Sequence, residues 1–473
     1  MSEGATESLS AERVRLEREL LRTRGEDSRW RDFWAMVTHA LMLSQMMARF
    51  VVRYSWVIFR ARVLELPIAP ARLVALNRRT AEEYVRAAMK LKGGTIKMGQ
   101  FISARADVVP RELVEVLGQL QDRVAPAPYE YVARTIEEQF GKPVDAVFSR
   151  FEHEAVAAAS FGQVHKATTR EGEAVVVKVL HRNIERSLKV DLAIFRVAVF
   201  FFGRLFPTFM LHRIYDEIVL VTLGELDYVR EAQSAARVGK NLANDRRIRV
   251  PRVIWDYCKR RVLCLEDISG LRIDDKALIK SKGADPRDVL RAVIGAYCQQ
   301  IYVDGFFQSD PHPGNLFFYP PDPAKPDQPL IGIIDFGQAK EMPKEFHATL
   351  RQAVTAVIQK DPDAFLAAIV AMGVVEDAEI HKVRHVVLNL GAQIKDGTLR
   401  EVMALDYEAL AKDVMRALSE LEAFSVPNDL ILYGRTLGIL QGLTYLLDRD
   451  LPIFEVAAPY LMEFAFGRAQ TRP

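Results

Sequence analysis

DGFFQSDPHPGNLFF (residues 304–318) and LIGIIDFG (residues 330–337) are the two stretches on which the reading of this chain turns. In the first, Pro311, Pro313 and Gly314 stand between Asp310 and Asn315. Neither proline donates an N–H, so the spacing predicts an irregular loop that holds an acid and an amide five residues apart. In the second, an apolar strand ends on Asp335, followed by Phe336 and the flexible Gly337. A carboxylate placed there can hold Mg²⁺ against phosphates. The proline-rich Tyr319–Pro329 is expected to form the hairpin between the two stretches. Asp310 as acid or base, with Asn315 and Asp335 as metal ligands, is a set suited to phosphoryl transfer. An isolated Asp-Phe-Gly is a frequent chance match, whereas the ordered set of three is a much stronger signal.

Working outward, the Asp-to-Asn separation equals that of the kinase catalytic loop H-R-D-x-x-x-x-N. VVVKVL (Val175–Leu180) reads as a buried β-branched strand with Lys178 in its middle. A lysine there needs a charge partner, and the kinase strand lysine has this form, reaching the nucleotide's phosphates. The expected partner is a helix glutamate in GELDYVREA (residues 224–232), with Glu231 preferred and Glu225 second. Neither G-x-G-x-x-G nor a Walker A sequence occurs. Where a glycine-rich loop would stand, the chain reads AVAAASFGQVHKA (Ala155–Ala167). Alanine does not visit positive φ as glycine does, so this loop is stiffer. Ala157, Ala158, Ala159, Ser160 and Gly162 are the expected nucleotide-covering residues, joined by Glu266 on the strand within RVLCLEDISG (Arg261–Gly270).

Composition bounds the rest. The chain has 473 residues, 49% of them hydrophobic and 27% charged, which excludes a disordered protein and allows several domains. Its 64 basic and 62 acidic residues show no excess of the kind nucleic-acid binding favours. Three cysteines (Cys258, Cys264, Cys298) without C-x-x-C spacing argue against a disulfide framework or zinc site and suit a reducing compartment. His165 and His312 likewise read as local structure. The first twenty residues are polar and charged, so no secretory signal is expected there.

A mean hydropathy of −0.00 is greasy for so charged a chain. Phe33–Ala48 is uncharged for sixteen residues but carries Thr38, His39, Ser44 and Gln45. Leu192–Leu211 contains Arg196 and Arg204; twelve Leu, Ile, Phe and Val contribute about −4 to −7 kcal/mol on the insertion scale and the arginines cost about +5 to +7. Neither stretch is expected to span a bilayer. Phe33–Leu64, however, interleaves Arg49, Arg53, Arg60 and Arg62 with Trp34, Phe50, Trp56 and Phe59 and has no Asp or Glu. It suits either an interfacial membrane helix or a helix packed on the body of the protein.

Along the chain, residues 11–32 read as a charged helical lead, 72–140 as helices broken near Gly93-Gly94 and Pro110, Ala155–Ala159, Gln163–Thr169 and Glu173–Leu180 as short strands, and 185–240 as helix again. After Pro286 the chain reads as mostly helical. The expected organisation is an amphipathic helical region at 1–70, a helical extension at 71–150, a small strand-bearing lobe with a helical insertion at 151–270, and a large helical lobe at 271–473.

Taken together, these motifs resemble the UbiB/ADCK family of atypical protein-kinase-like proteins, over roughly Arg72 to Tyr460. KMGQ (Lys97–Gln100) matches the family's KxGQ motif, AAASFGQVHKA its Ala-rich loop, Glu225 and Asp227 its ExD motif, and DPHPGN with DFG its catalytic and metal-binding segments. Without the resemblance, Lys97 and Gln100 are merely three apart on one helix face. The resemblance implies an α+β, two-lobed kinase-like fold that binds ATP and Mg²⁺. Lys178 would contact phosphates, Asn315 and Asp335 would hold the metal, and Asp310 would stand at the catalytic-base position. Lys97 and Gln100 would point into the active site with Glu225 and Asp227 as partners, which favours ATP hydrolysis or small-molecule phosphorylation over protein phosphorylation. Family members support isoprenoid quinone biosynthesis at membranes, so quinone precursors or their enzymes are the implied partners, at the cytoplasmic face of a membrane. Two departures stand out: Gln308 where many relatives have His, and a C-terminal stretch (Leu451–Pro473) too short and charged to span. A true protein kinase and a nucleotide-gated scaffold remain the alternatives; no A-P-E follows DFG.

Overall fold

The computed structural model describes residues 29–467, apart from positions 68, 104–108, 121–125, 159, 206–210, 323, 325–327, 376 and 394–426. In chain order come α1 (Arg29–Arg62), α2 (Pro70–Leu91), α3 (Gly93–Ser103), α4 (Arg111–Leu117), α5 (Tyr129–Phe140) and α6 (Val144–Val147). Strands β1 (Arg150–Phe151), β2 (Ala157–Ala158), β3 (Gly162–Thr168) and β4 (Ala174–Leu180) follow. Next are α7 (Ile184–Leu205), α8 (Leu211–Gly224), α9 (Tyr228–Asn241), β5 (Ile248–Arg249), β6 (Val262–Glu266), β7 (Leu271–Arg272), α10 (Lys276–Ser281) and α11 (Pro286–Cys298). The chain continues through β8 (Phe306–Gln308), β9 (Leu316–Phe318), β10 (Ile331–Ile333), β11 (Ala339–Glu341), α12 (Lys344–Gln359), α13 (Pro362–Ala371), α14 (Ile380–Gln393), α15 (Asn428–Leu447) and α16 (Ile453–Phe466). The charged lead read at residues 11–32 lies outside the described residues up to position 28.

Contacts divide the chain into two units, Met1–Arg230 with Ile254–Asp267, and Glu231–Val253 with Ile268–Pro473. In the first unit β1-β3-β4-β6, with β2 beside β3, form an antiparallel sheet. β4 alternates: Val175, Val177 and Val179 are buried, while Val176 and Lys178 share the half-buried face. The period of two explains why Lys178 is tolerated in so apolar a run, since it never enters the valine face. Burying each of those three valines is worth about 1.5–3 kcal/mol.

The helices of the first unit pack around Leu43, Met46, Met47 and Phe50 of α1, Tyr84 and Ala88 of α2, and Ile96 of α3. α1 also lies along α7, where His39 Nε2 meets the fully buried carboxylate of Asp191 at 2.5 Å. Burial pushes the Asp191 carboxyl above its ordinary value, against the opposing pull of His39. Phe33–Leu64 is thus a packed helix on one side. Arg49 and Arg53 are not free basic groups there, because both bind Glu83 of α2. Its opposite side leaves Trp34, Leu41, Val52, Trp56 and Phe59 exposed. At 3.6 residues per turn these five lie in one stripe.

The second unit is organised around α11, ten of whose thirteen residues are buried. Asp285 accepts a hydrogen bond from the Arg287 N–H and Pro286 occupies the first turn, a capping pair that fixes where this helix starts. α15 and α16 pack on it. Four short strands, β5-β10-β9-β7, form one sheet, with β10 parallel to β5 and antiparallel to β9. β8 and β11 form a separate antiparallel pair. The LIGIID strand and its hairpin pairing across Tyr319–Pro329 are as read from the sequence; β1, β5, β7, β8, β9 and β11, only two or three residues each, are not marked in it. Among the described residues one helix segment, Asp429–Leu447 in α15, is long and apolar enough to cross a membrane by length and composition. The sequence reading had not singled it out.

Candidate active site

In the first unit the conformation of α3 decides where the KMGQ residues point. A β-carbon on Gly99 would stand 2.3 Å from Leu120 Cδ1 and 2.8 Å from Tyr84 Cε1, so only glycine lets α3 sit this close to its neighbours. Lys97 then forms an ion pair with Glu225, in which the side chains are 13% and 18% exposed. Gln100 donates to the Leu120 carbonyl at 2.9 Å and accepts from the Ser160 hydroxyl at 3.1 Å. KMGQ is therefore tied at one residue to the ExD segment and at the other to the Ala-rich loop. The expected pairing of Lys97 with Glu225 is present, and Glu225 is thereby engaged by Lys97. Asp227, the other carboxylate expected as a partner of Lys97 and Gln100, caps α9, accepting from the Val229 and Arg230 N–H groups at 3.0 and 3.2 Å.

Tyr228, between Asp227 and Val229, brings a further group to Lys178 within this unit. The Lys178 ammonium lies 5.3 Å from the centre of its ring. Such a cation–π contact is worth about 0.5–1 kcal/mol at an exposed site and more when desolvated. Nothing in the spacing of GELDYVREA had marked Tyr228 for this. Ala157 and Ala158 form β2, paired with Val164 and Gln163 of β3; Ser160 and Gly162 are buried, and Ala159 lies outside the described residues. Glu266 ends β6, opposite Val175 of β4.

In the second unit, strand register gathers the chemistry. β9 pairs with β10 so that Leu316 faces Ile333, and the Ile334 N–H donates to the Asn315 carbonyl at 3.1 Å. Asn315 and Asp335, twenty residues apart in sequence, thus both lie at the open end of one hairpin. Asn315 Nδ2 donates to the Asp310 carbonyl at 3.1 Å, closing the loop they share. Asp335 Oδ1 accepts from the Gly337 N–H at 2.9 Å. A β-carbon on Gly337 would stand 3.4 Å from both Asp335 Oδ1 and Glu231 Oε2, so the two carboxylates converge on the same space.

Gln308, the departure from the usual His, is fully buried and fastens this loop at both ends of its amide. Its Oε1 accepts from the Tyr297 hydroxyl at 2.6 Å and from the Asp310 N–H at 3.1 Å, while its Nε2 donates to the Asp310 carbonyl at 2.7 Å. Burial first, and then the negative charges of Asp310 and Asp335, push the Tyr297 phenol well above its ordinary value, so it stays a donor. Arg435 of α15, which no motif had flagged, contacts Asp310 Oδ1 at 3.3 Å. His165 and His312 serve local structure: His165 bonds Gln163 and the Glu152 carbonyl, and His312 Nδ1 accepts from the Gly314 N–H.

The donor set is compatible with Mg²⁺. Among the described residues no cluster of three or more His, Cys, Asp or Glu forms a metal cage. Mg²⁺ does not require one, because it is held by one or two carboxylates together with the phosphates of a nucleotide. Asp335 and Asn315, near one hairpin end, carry a carboxylate and an amide oxygen that fit such a role.

Comparison with known proteins bears on the same residues. The model of the ABC1 atypical kinase-like domain matches residues 119–369. An Arabidopsis thaliana protein named ACTIVITY OF BC1 COMPLEX KINASE 7, chloroplastic, is 32% identical, over 82% of this chain and 55% of its own length. A probable protein kinase UbiB of Marinobacter nauticus is 29% identical, over 87% of this chain and 78% of its own. The chain spans between about half and four fifths of these two curated relatives. The solved structure of Rv3197 from Mycobacterium tuberculosis, in complex with erythromycin, shares 26% identity with a TM-score of 0.52, covering 84% of this chain and 100% of that one. With short sheets set among helices in each unit, the chain has the α+β fold of the kinase-like proteins. It belongs to the UbiB/ADCK family of ABC1-type atypical kinase-like proteins.

Proposed function

We propose that this protein binds ATP with Mg²⁺ and acts as an ATPase or small-molecule kinase that supports isoprenoid quinone biosynthesis at a membrane surface. The observation that carries this reading is the β9–β10 register, which sets Asn315 beside Asp335 within the loop that also holds Asp310. Asp335 and Asn315 would ligate Mg²⁺, which supplies charge neutralisation for the phosphates. Lys178 would bind the phosphates, Glu231 would serve as the helix glutamate, and Asp310 would orient the attacking hydroxyl or water. Ala157, Ala158, Ala159, Ser160, Gly162 and Glu266 would surround the nucleotide. Phosphoryl transfer asks mainly for positioning and charge stabilisation, which such a set provides.

The KMGQ helix argues for a small acceptor or water rather than a peptide, since Lys97 and Gln100 are committed to Glu225 and Ser160. The quinone role is supported by the UbiB names among the relatives, and we place the protein at the cytoplasmic face of a membrane as part of the same proposal. The exposed stripe of Trp34, Leu41, Val52, Trp56 and Phe59 on α1 is the surface suited to lie on lipid. An ATPase assay of the wild type and Asp335→Asn tests the activity: Mg²⁺-dependent turnover in the first and its loss in the second are expected, and an inactive wild type would overturn the reading.

A further inference from the structure

We propose that Arg435 is a positioning residue for the reaction, holding the Asp310 carboxylate in its working orientation; this rests on the reading of Asp310 as the catalytic-base position. The main chain of Asp310 is fixed by amides. Its N–H donates to Gln308, and its carbonyl accepts from Gln308 and Asn315. None of these bonds fixes the side chain. The ion pair found for the carboxylate is with Arg435, at 3.3 Å, with the two side chains 30% and 21% exposed. The second arm of the same guanidinium donates to Gln338 Oε1 at 3.2 Å. Gln338 directly follows Asp335-Phe336-Gly337, so one planar fork joins the acid to the end of the metal-binding segment.

The neighbouring bonds show that the helix bearing Arg435 is itself fastened to these two segments. Thr436, fully buried, shares its hydroxyl proton between the Leu432 carbonyl of its own helix at 2.8 Å and the Ser309 carbonyl at 3.1 Å, one residue before Asp310. Ser309 in turn bonds the Gln338 carbonyl through its hydroxyl at 2.8 Å. Asp429, at the start of α15, pairs with Lys340 of β11 at 2.7 Å. α15 thus touches the chain on either side of Asp335 through three side chains, and Arg435 alone among them reaches a carboxylate assigned to chemistry. Lysine could not replace it in full. Its ammonium is a point charge, whereas the guanidinium serves two acceptors at once in fixed geometry.

The test is steady-state ATP turnover by the full chain for the wild type, Arg435→Met, Arg435→Lys, Asp310→Asn and the Asp310→Asn/Arg435→Met double variant, with melting temperatures alongside. Misplacing a reacting group by about an ångström can cost about 100-fold, so a fall of roughly 10- to 100-fold in kcat is expected for Arg435→Met, with KM for ATP within about twofold. Arg435→Lys should recover part of the loss. The double variant should be no slower than Asp310→Asn, since both changes act through one carboxylate. A purely structural residue would instead lower the melting temperature and raise KM, and its effect would multiply with that of Asp310→Asn. That pattern overturns the proposal, as does a kcat within about twofold of wild type in Arg435→Met. If Arg435→Met does not fold, Arg435→Lys decides alone: an unchanged kcat overturns the proposal and a selective loss of kcat supports it. A wild type without turnover overturns the functional reading and this role together, and is told apart by the wild-type measurement itself.

Discussion

Replacing Lys97 with Met tests whether the KMGQ helix is anchored as described. The Lys97–Glu225 pair is more than four-fifths buried on both sides. Glu225 Oε1 is buried and, among the described residues, has no hydrogen-bond donor besides this ion pair. Lys97→Met therefore strands a carboxylate away from water, and breaking a buried pair from one side costs about 3–5 kcal/mol. The residual exposure of both partners argues for the lower end, about 3 kcal/mol. For a cooperative unit of about 150–250 residues, that corresponds to a fall in melting temperature of about 6–12 °C. Adding Glu225→Gln should restore most of the loss, because a neutral amide needs no counter-charge. Scanning calorimetry or a dye melt of the wild type, both single variants and the double variant reads this directly. A Lys97→Met protein melting within about 2 °C of wild type, or losses that simply add in the double variant, would refute the argument.

Two further outcomes are expected. Burial holds the His165 and His347 rings below their ordinary value of 6.5. The folded state therefore binds fewer protons than the unfolded one, so stability is full above about pH 6.5 and falls as the pH drops through the lowered values. His165→Gln should weaken that acid-side decline in urea titrations taken at several pH values, and an unchanged pH profile would count against it. On α1, Trp56 and Phe59 stack at 5.7 Å on the exposed stripe. Trp56→Glu should reduce co-sedimentation with vesicles of anionic phospholipid by about tenfold or more, since an aromatic side chain's burial is worth about 1.5–3 kcal/mol; retention equal to wild type would remove α1 as the lipid-facing element.

The sequence was most informative where backbone chemistry constrains the chain. Pro311, Pro313 and Gly314 leave only a loop between Asp310 and Asn315, and the apolar run before Asp335 leaves only a strand. The valine run of β4 was equally visible, although its alternation, which gives Lys178 a half-buried face instead of a core position, depends on which side the rest of the unit covers. The strands of two or three residues other than β2 and β10 left no periodic trace, because they arise from pairing partners far away in sequence. The roles of Gln100, Asp227 and Arg435 were hidden for a similar reason. Gln100 and Asp227 sit in a legible motif, yet their partners are set by how close Gly99 lets α3 approach and by the start of α9. Arg435 lies on a helix whose sequence offers only an apolar stretch, and its contact with Asp310 exists only in the folded unit. The two faces of α1 show the same limit: composition revealed aromatics among arginines, and packing decided that Arg49 and Arg53 serve Glu83 while Trp56 and Phe59 face outward.

The central claim, that Asp335 and Asn315 bind a magnesium nucleotide, is tested most directly by calorimetric titration of ATP into the wild type and Asp335→Asn, each with and without Mg²⁺. Saturable binding by the wild type that tightens when Mg²⁺ is present, and no such tightening in Asp335→Asn, is the predicted result. Equal binding by both proteins with and without Mg²⁺, or no binding by the wild type under any of these conditions, would contradict it.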